Sequence, residues 1–222
     1  MLYAFLSLQA TLAEKKNLRD AVNENPLFWK TSLAAMQTSF FITLGRVFDE
    51  TSKHNLFALL KYAEDHADIF SLDALAVRKR AASANADEWL EEYLATAHVP
   101  TGDDFHRLRR RAQHYNRIYR KNYKRIRNKI YAHKEATDDA KVQSLFANTR
   151  IRELENIFVY LNKVHDCLWE LLNNGKEPKL RSMPYSVNSI RRTKVPEYHF
   201  TLVQQQIVKE SVAVLEQLRP AN

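Results

Sequence analysis

Arg127, Asn128 and His133 fall within the run RIRNKIYAHKE, residues 125–135, on a strongly basic stretch with helical spacing. An imidazole that titrates near neutral pH and a guanidinium with a planar set of donors are groups suited to cleaving RNA without a metal. In that reaction the 2′-hydroxyl loses a proton, the leaving oxygen gains one, and charge builds at phosphorus. Between Phe105 and Lys134 lie twelve basic residues (Arg107, Arg109, Arg110, Arg111, Arg117, Arg120, Lys121, Lys124, Arg125, Arg127, Lys129 and Lys134) and no acid. The chain as a whole has 34 basic and 26 acidic residues, a net of +8, so outside this segment 22 bases face 26 acids. One segment supplies the basicity. A localised positive field of this kind is the footprint of a polyanionic partner.

The elements that position these groups read as helices. Glycine occurs only three times, at Gly45, Gly102 and Gly175, and neither glycine nor proline lies between the last two. That scarcity excludes architectures rich in tight turns and removes any Gly-rich phosphate loop. At 222 residues, 45% of them hydrophobic, the chain is long enough to bury a substantial core. Its single Cys167 excludes an internal disulfide framework and a multi-cysteine zinc site, and fits a reducing compartment. The opening MLYAFLSLQATLAEKK has no basic n-region, and no run approaches the roughly 18 apolar residues of a membrane span. The expectation is a cytoplasmic protein with no membrane association, no metal and no cofactor.

Apolar residues at intervals of three and four predict helices over about 2–22, 28–48 (Leu33, Met36, Phe40, Leu44, Val47) and 54–66 (Leu56, Leu59, Leu60, Ala63), the last capped by Thr51 or Ser52. Residues 67–99 predict a broken or mobile helical pair. Pro100 and Gly102 mark a boundary, with Thr101 or Asp103 as N-cap of the basic helix. Its stripe runs Phe105, Leu108, Ala112, Tyr115, Tyr119, Asn122, Ile126, Ile130, His133. Unbroken from 103 to 136, that helix would span about 51 Å, so it must bend, project or meet another subunit. A polar turn, ATDDAK, then precedes a long helix over 149–173 that stops at Gly175. A basic loop (176–195) and a last helix (198–218) complete the chain. The fold class expected is all-α, a bundle of five to seven helices with two long antiparallel ones. Residues 1–175 form the main helical domain, with 176–222 packed on it.

Arg127, Asn128 and His133, an arginine and a polar residue followed after four positions by histidine, resemble the Arg-to-His signature of the HEPN superfamily of helical domains. RVFDETSKHNLFALL, residues 46–60, resembles the helix end and Asp49-containing turn of its abortive-infection, AbiU-like branch. The resemblance implies a metal-independent endoribonuclease, a toxin or phage-defence effector, whose active site forms where two protomers bring their motifs together. It implies that His133 acts as acid or base, that Arg127 binds the phosphate and stabilises developing charge, and that Asn128 orients the substrate or His133. Arg120, Lys124, Lys129, Tyr131 and Lys134 would bind RNA. The implied partners are RNA, a second copy of the chain and an antitoxin, for which the wider family suggests a nucleotidyltransferase. On an ideal helix the six-residue separation leaves Arg127 and His133 about 120° apart, so either the long arginine reaches round, or the helix bends near its end, or a partner protomer completes the site, and the resemblance favours the last.

Other constellations are weaker. His165-Asp166 suits a helix-surface pair, and His106 and His114 stand eight apart with no carboxylate between them. Tyr115, Tyr119 and Tyr123 alternate with basic residues, a composition suited to stacking on bases, although Tyr115 and Tyr119 also fit an aromatic core. The alternative function is a non-catalytic helical module that binds nucleic acid, a nucleotide or a partner protein through the same basic helix.

Overall fold

The computed structural model describes residues 2–132, 138–147, 149–180 and 203–217, and among them every regular element is helical. The chain is all-α. It divides into two compact units, one of Met1–Gly45, Arg125–Asn148 and Pro184–Asn222, the other of Arg46–Lys124 and Thr149–Met183.

In the first unit, the helix expected over 2–22 is two helices, α1 (Leu2–Glu14) and α2 (Lys16–Asn23), separated by an extended Lys15 at φ −114° and ψ 101°. No glycine or proline marks this break. Packing accounts for it, because the turn lets Leu18 and Val22 of α2 join Leu8 of α1 and Leu215 in one apolar cluster. Leu215 belongs to the last described helix, Val203–Gln217. That helix is tied to α1 by Ser7 Oγ, which donates to the Val208 carbonyl at 3.2 Å, and is met by Lys15 Nζ, 2.6 Å from Glu216 Oε1. Helix α3 (Pro26–Phe48) starts with proline at its first position, where a missing N–H costs nothing. It buries Phe40, Phe41 and Leu44 of this unit.

The second unit opens with a turn in which Asp49 Oδ1 accepts from the Thr51 N–H at 3.2 Å and its hydroxyl at 2.7 Å. The cap of α4 (Leu56–Asp65) is Asn55, whose Oδ1 accepts from the Ala58 N–H at 2.9 Å, rather than Thr51 or Ser52. Leu56, Leu60 and Ala63 are buried as their spacing predicts, whereas Leu59 is exposed. Residues 67–99 form two short helices, α5 (Leu72–Ala82) and α6 (Leu90–Ala95), each preceded by a 3-10 turn, which matches the expected broken pair.

Helix α7 begins as α-helix over Gly102–Ile118, where Thr101 is the N-cap and its N–H donates to Asp104 Oδ2 at 2.8 Å. Asp104 is buried beside Arg107 and His98, whose Nε2 is 3.1 Å from Oδ2. Burial pushes this carboxyl up, but the Thr101 N–H, His98, the Thr101 hydroxyl and Arg107 outweigh it and hold the carboxyl below the ordinary carboxylate range. A depressed carboxyl stabilises the fold above its unfolded value of about 4, and that contribution is lost as pH falls through the folded value. The stability gap between the parent and Asp104→Asn, measured by urea melts, is therefore expected to be widest at neutral pH and to narrow below about pH 4. A gap independent of pH would contradict this account.

Beyond Ile118 the α7 backbone changes its bonding. Tyr119–Tyr123 is π-helical, Lys124–Ile126 returns to α-geometry, and Arg127–Ala132 is π-helical again. An i→i+5 turn shifts the phase of the side chains. Tyr123, not Asn122, takes the core position between Tyr119 and Ile126, with no measurable exposure. Its hydroxyl is 3.1 Å from both the Arg150 carbonyl and Glu153 Oε2. Burial pushes the Tyr123 phenol well up. Stacking on bases is closed to this ring.

Asp139–Phe146 is an α-helix, α8, capped by Asp138, whose Oδ1 accepts from the Lys141 N–H at 2.8 Å, where the sequence suggested only a turn. The second long helix, α9 (Ile151–Asn174), buries Leu154, Ile157, Tyr160, Val164, Cys167 and Leu171. It runs antiparallel to the first part of α7: Tyr123 bonds near its start, Tyr160 stacks on Tyr115 at 4.2 Å, and Leu171 clusters with Phe105. Gly175 ends α9 at φ 57°, a left-handed cap that glycine adopts without steric cost. A Cβ there would also meet Ala97 and Leu75 side-chain atoms at 2.8 Å. Val203–Gln217 is α10; the loop predicted over 176–195 lies outside the described residues from 181 onward.

Candidate functional site

The π-helical end of α7 is held against α3 by two contacts one turn apart. The Tyr131 ring stacks on Phe41, centroids 4.9 Å apart and planes 11° from parallel, and Phe146 of α8 meets the same Phe41 edge-on at 6.2 Å. One turn further along α3, Arg127 lies against Gly45, where an added Cβ would fall 2.7 Å from its Nε. Phe41 with Tyr131 and Gly45 with Arg127 make an antiparallel seam, since the first residue rises as its partner falls.

Arg127 is half-buried. Its Nη1 donates to Asn128 Oδ1 at 2.8 Å, and its Nε is buried with no hydrogen-bond partner among the described residues. A guanidinium carries five N–H donors, so this seating sinks one edge of the group against α3 and leaves Nη donors for an anion. Asn128 thus holds Arg127 in place.

His133 and Lys134 lie outside the described residues. The 120° offset between Arg127 and His133 assumes 3.6 residues per turn, and that arithmetic does not carry through a stretch bonded i→i+5. Among the RNA-binding candidates, Lys129 is half-buried on the same π-helical stretch, with Tyr131 beside Phe41. Burial pushes the Tyr131 phenol up to about 12, so near neutral pH it can donate a proton but not accept one as phenolate. Arg120 and Lys124 are exposed and belong to the second unit.

Part of the basic segment is spent on the fold. Arg109 makes two contacts with the Glu64 carboxylate, Arg107 pairs with Asp104, and Arg120 Nη1 is 3.9 Å from Glu50 Oε1. Arg110, Arg111, Arg117, Lys121, Lys124 and Arg125 are exposed. The field facing solvent is weaker than twelve bases suggest, but its sign is unchanged. His165 and Asp166 form the expected surface pair, 3.0 Å apart, and His106 and His114 are exposed. An open groove of about 700 Å³ along α4, lined by Val47, Lys53, His54, Leu56, Leu59 and Tyr62, was not visible in the sequence because Leu59 looked like core.

Sequence reasoning also missed Gly45. Its signal was available, since glycine within a helical pattern is costly and asks for a reason. Among the described residues no helix is long and apolar enough to cross a membrane.

Comparison with known proteins finds no matching curated protein and no matching solved structure. A protein-family model described as AbiU2, of the HEPN type, matches residues 1–191. With this match over most of its length and an all-helical fold, this chain belongs to the AbiU2 family of abortive-infection-related HEPN proteins.

Proposed function

We propose that this chain is a metal-independent endoribonuclease, an effector of abortive infection, that works as a homodimer in which the motifs of two protomers meet. The observation that carries the reading is the seating of Arg127, with Nη1 held by Asn128 and Nε sunk against α3, on a basic helix at a π-helical turn. Turns of this type are frequent at functional sites, where they re-aim side chains.

In the proposed reaction a base takes the proton of the RNA 2′-hydroxyl and the 2′ oxygen bonds to phosphorus. The bond from phosphorus to the 5′ oxygen breaks, and that oxygen receives a proton. The products are a 2′,3′-cyclic phosphate and a 5′-hydroxyl. His133 serves the proton transfers, as base, acid or both across the two protomers. Arg127 binds the phosphate oxygens and stabilises the charge that builds on them. Asn128 keeps the guanidinium in register, while Lys129, Lys134, Arg120 and Lys124 attract the RNA backbone and Tyr131 supports the π-helical turn. A toxin of this kind calls for an antitoxin partner, which would be expected to cover the Arg127 surface.

The experiment is direct. Purified protein is incubated with single-stranded RNA in excess EDTA, and its mass is measured by light scattering. Cleavage with a cyclic-phosphate product by a dimer is the expected result. Cutting that appears only after a metal is added, or its absence, would overturn the reading. RNA binding without cutting, with affinity falling steeply as salt rises, would assign the non-catalytic module instead.

A further inference from the structure

We infer that Gly45 is a positioning residue for Arg127, the bare Cα on α3 that allows the guanidinium to be seated. The inference rests on the reading of Arg127 as the phosphate-binding group.

Gly45 is buried inside α3, three residues before its end, where glycine is a poorer helix former than every residue but proline. Its backbone gives no reason for the choice. Gly175 is the one glycine at positive φ among the described residues, so Gly45 sits in ordinary helical conformation that alanine adopts readily. The reason lies in the side chain opposite. A Cβ at this position would stand 2.7 Å from Arg127 Nε, 3.1 Å from Cγ and 3.2 Å from Cδ, whereas one at Gly102 would meet nothing within 4 Å. All three obstructing atoms belong to the flexible arm of one arginine. An added methyl group would therefore displace the guanidinium and leave both helix backbones where they are. Asn128 holds the group from one side through Nη1, and the gap at Gly45 accommodates it from the other.

A purely structural glycine and a positioning one predict different results for Gly45→Ala. If Gly45 positions Arg127, the full-length variant keeps or raises its melting temperature, since alanine favours the helix, while kcat and kcat/KM for RNA fall together by about a hundredfold, the cost of a misplacement near 1 Å. A second readout needs no catalysis. The Arg127 Nε–H resonance, assigned by its loss in Arg127→Ala, should be protected from solvent exchange in the parent and lose that protection in Gly45→Ala.

Parental cutting by Gly45→Ala alongside an inactive Arg127→Ala would overturn the role of Gly45 and leave the ribonuclease reading standing. Parental cutting by both variants would overturn both. If the parent itself does not cut, the ribonuclease reading falls, and an Nε–H signal unchanged in Gly45→Ala overturns the positioning as well. Should Gly45→Ala fail to fold, the double variant Gly45→Ala/Arg127→Ala must fold like Arg127→Ala alone; if it does not, the clash is not with Arg127 and the inference is wrong.

Discussion

Alanine in place of His133 is expected to lower metal-independent RNA cleavage by about 10²–10⁴-fold, the range that a positioned acid or base supplies. Arg127→Ala should cost about 10²–10³-fold, as loss of a preorganised donor to developing charge does. Both variants should melt within a few degrees of the parent, and single-turnover cleavage in EDTA separates the two roles. His133→Ala should flatten the pH–rate profile near neutrality, because the titrating group is gone. Arg127→Ala should leave the shape of that profile intact and lower it throughout. Groups that act as one unit are not additive, so the double variant should be scarcely slower than the worse single one. His133→Ala cutting at the parental rate would remove this residue from the mechanism. Mixing the two inactive variants tests the dimer: if each site takes groups from both protomers, heterodimers should recover part of the activity.

The second large effect concerns stability. Phe105 is 1% exposed in the second unit, packed with Ala63 and Leu171 and tilted against Phe70 at 5.8 Å. Truncation to alanine should cost about 3–5 kcal/mol, the transfer of the ring plus the cavity it leaves. Domains have only about 5–15 kcal/mol in total, so this variant should show a large drop in urea midpoint and should precipitate on warming. A loss below about 1 kcal/mol would mean that this cluster closes over the gap or contributes less than its burial implies.

The fold was legible wherever one helix met one core with ordinary periodicity. Phe105, Leu108 and Ala112 of α7 and Leu56, Leu60 and Ala63 of α4 are buried as a 3.6-residue repeat predicts. It was illegible wherever tertiary contacts overrode local pattern. The break at Lys15 has no breaker residue, and only the cluster of Leu8, Leu18 and Leu215 accounts for it. The exchange of Asn122 for Tyr123 in the core follows from a π turn that no residue type announces. Leu59 has the right spacing for the core and is nevertheless 52% exposed. At the candidate site Arg127 is marked out in the sequence by its type and its company. Its seating could not, because Gly45 and Phe41 lie more than eighty residues away in the chain.

The interleaving of the two units bears on the order in which they can form. The unit that carries Arg127 draws on three separate stretches, and its contacts between Ser7 and Val208 and between Lys15 and Glu216 each span 201 residues. Leu215 completes its apolar cluster. During synthesis, therefore, the seat of Arg127 lacks its finished core until residue 215 has emerged from the ribosome, whereas the other unit has all its parts some thirty residues earlier. Contacts of such sequence separation also form slowly. The Arg127 surface of a nascent chain is thereby among the last parts of the fold to be completed.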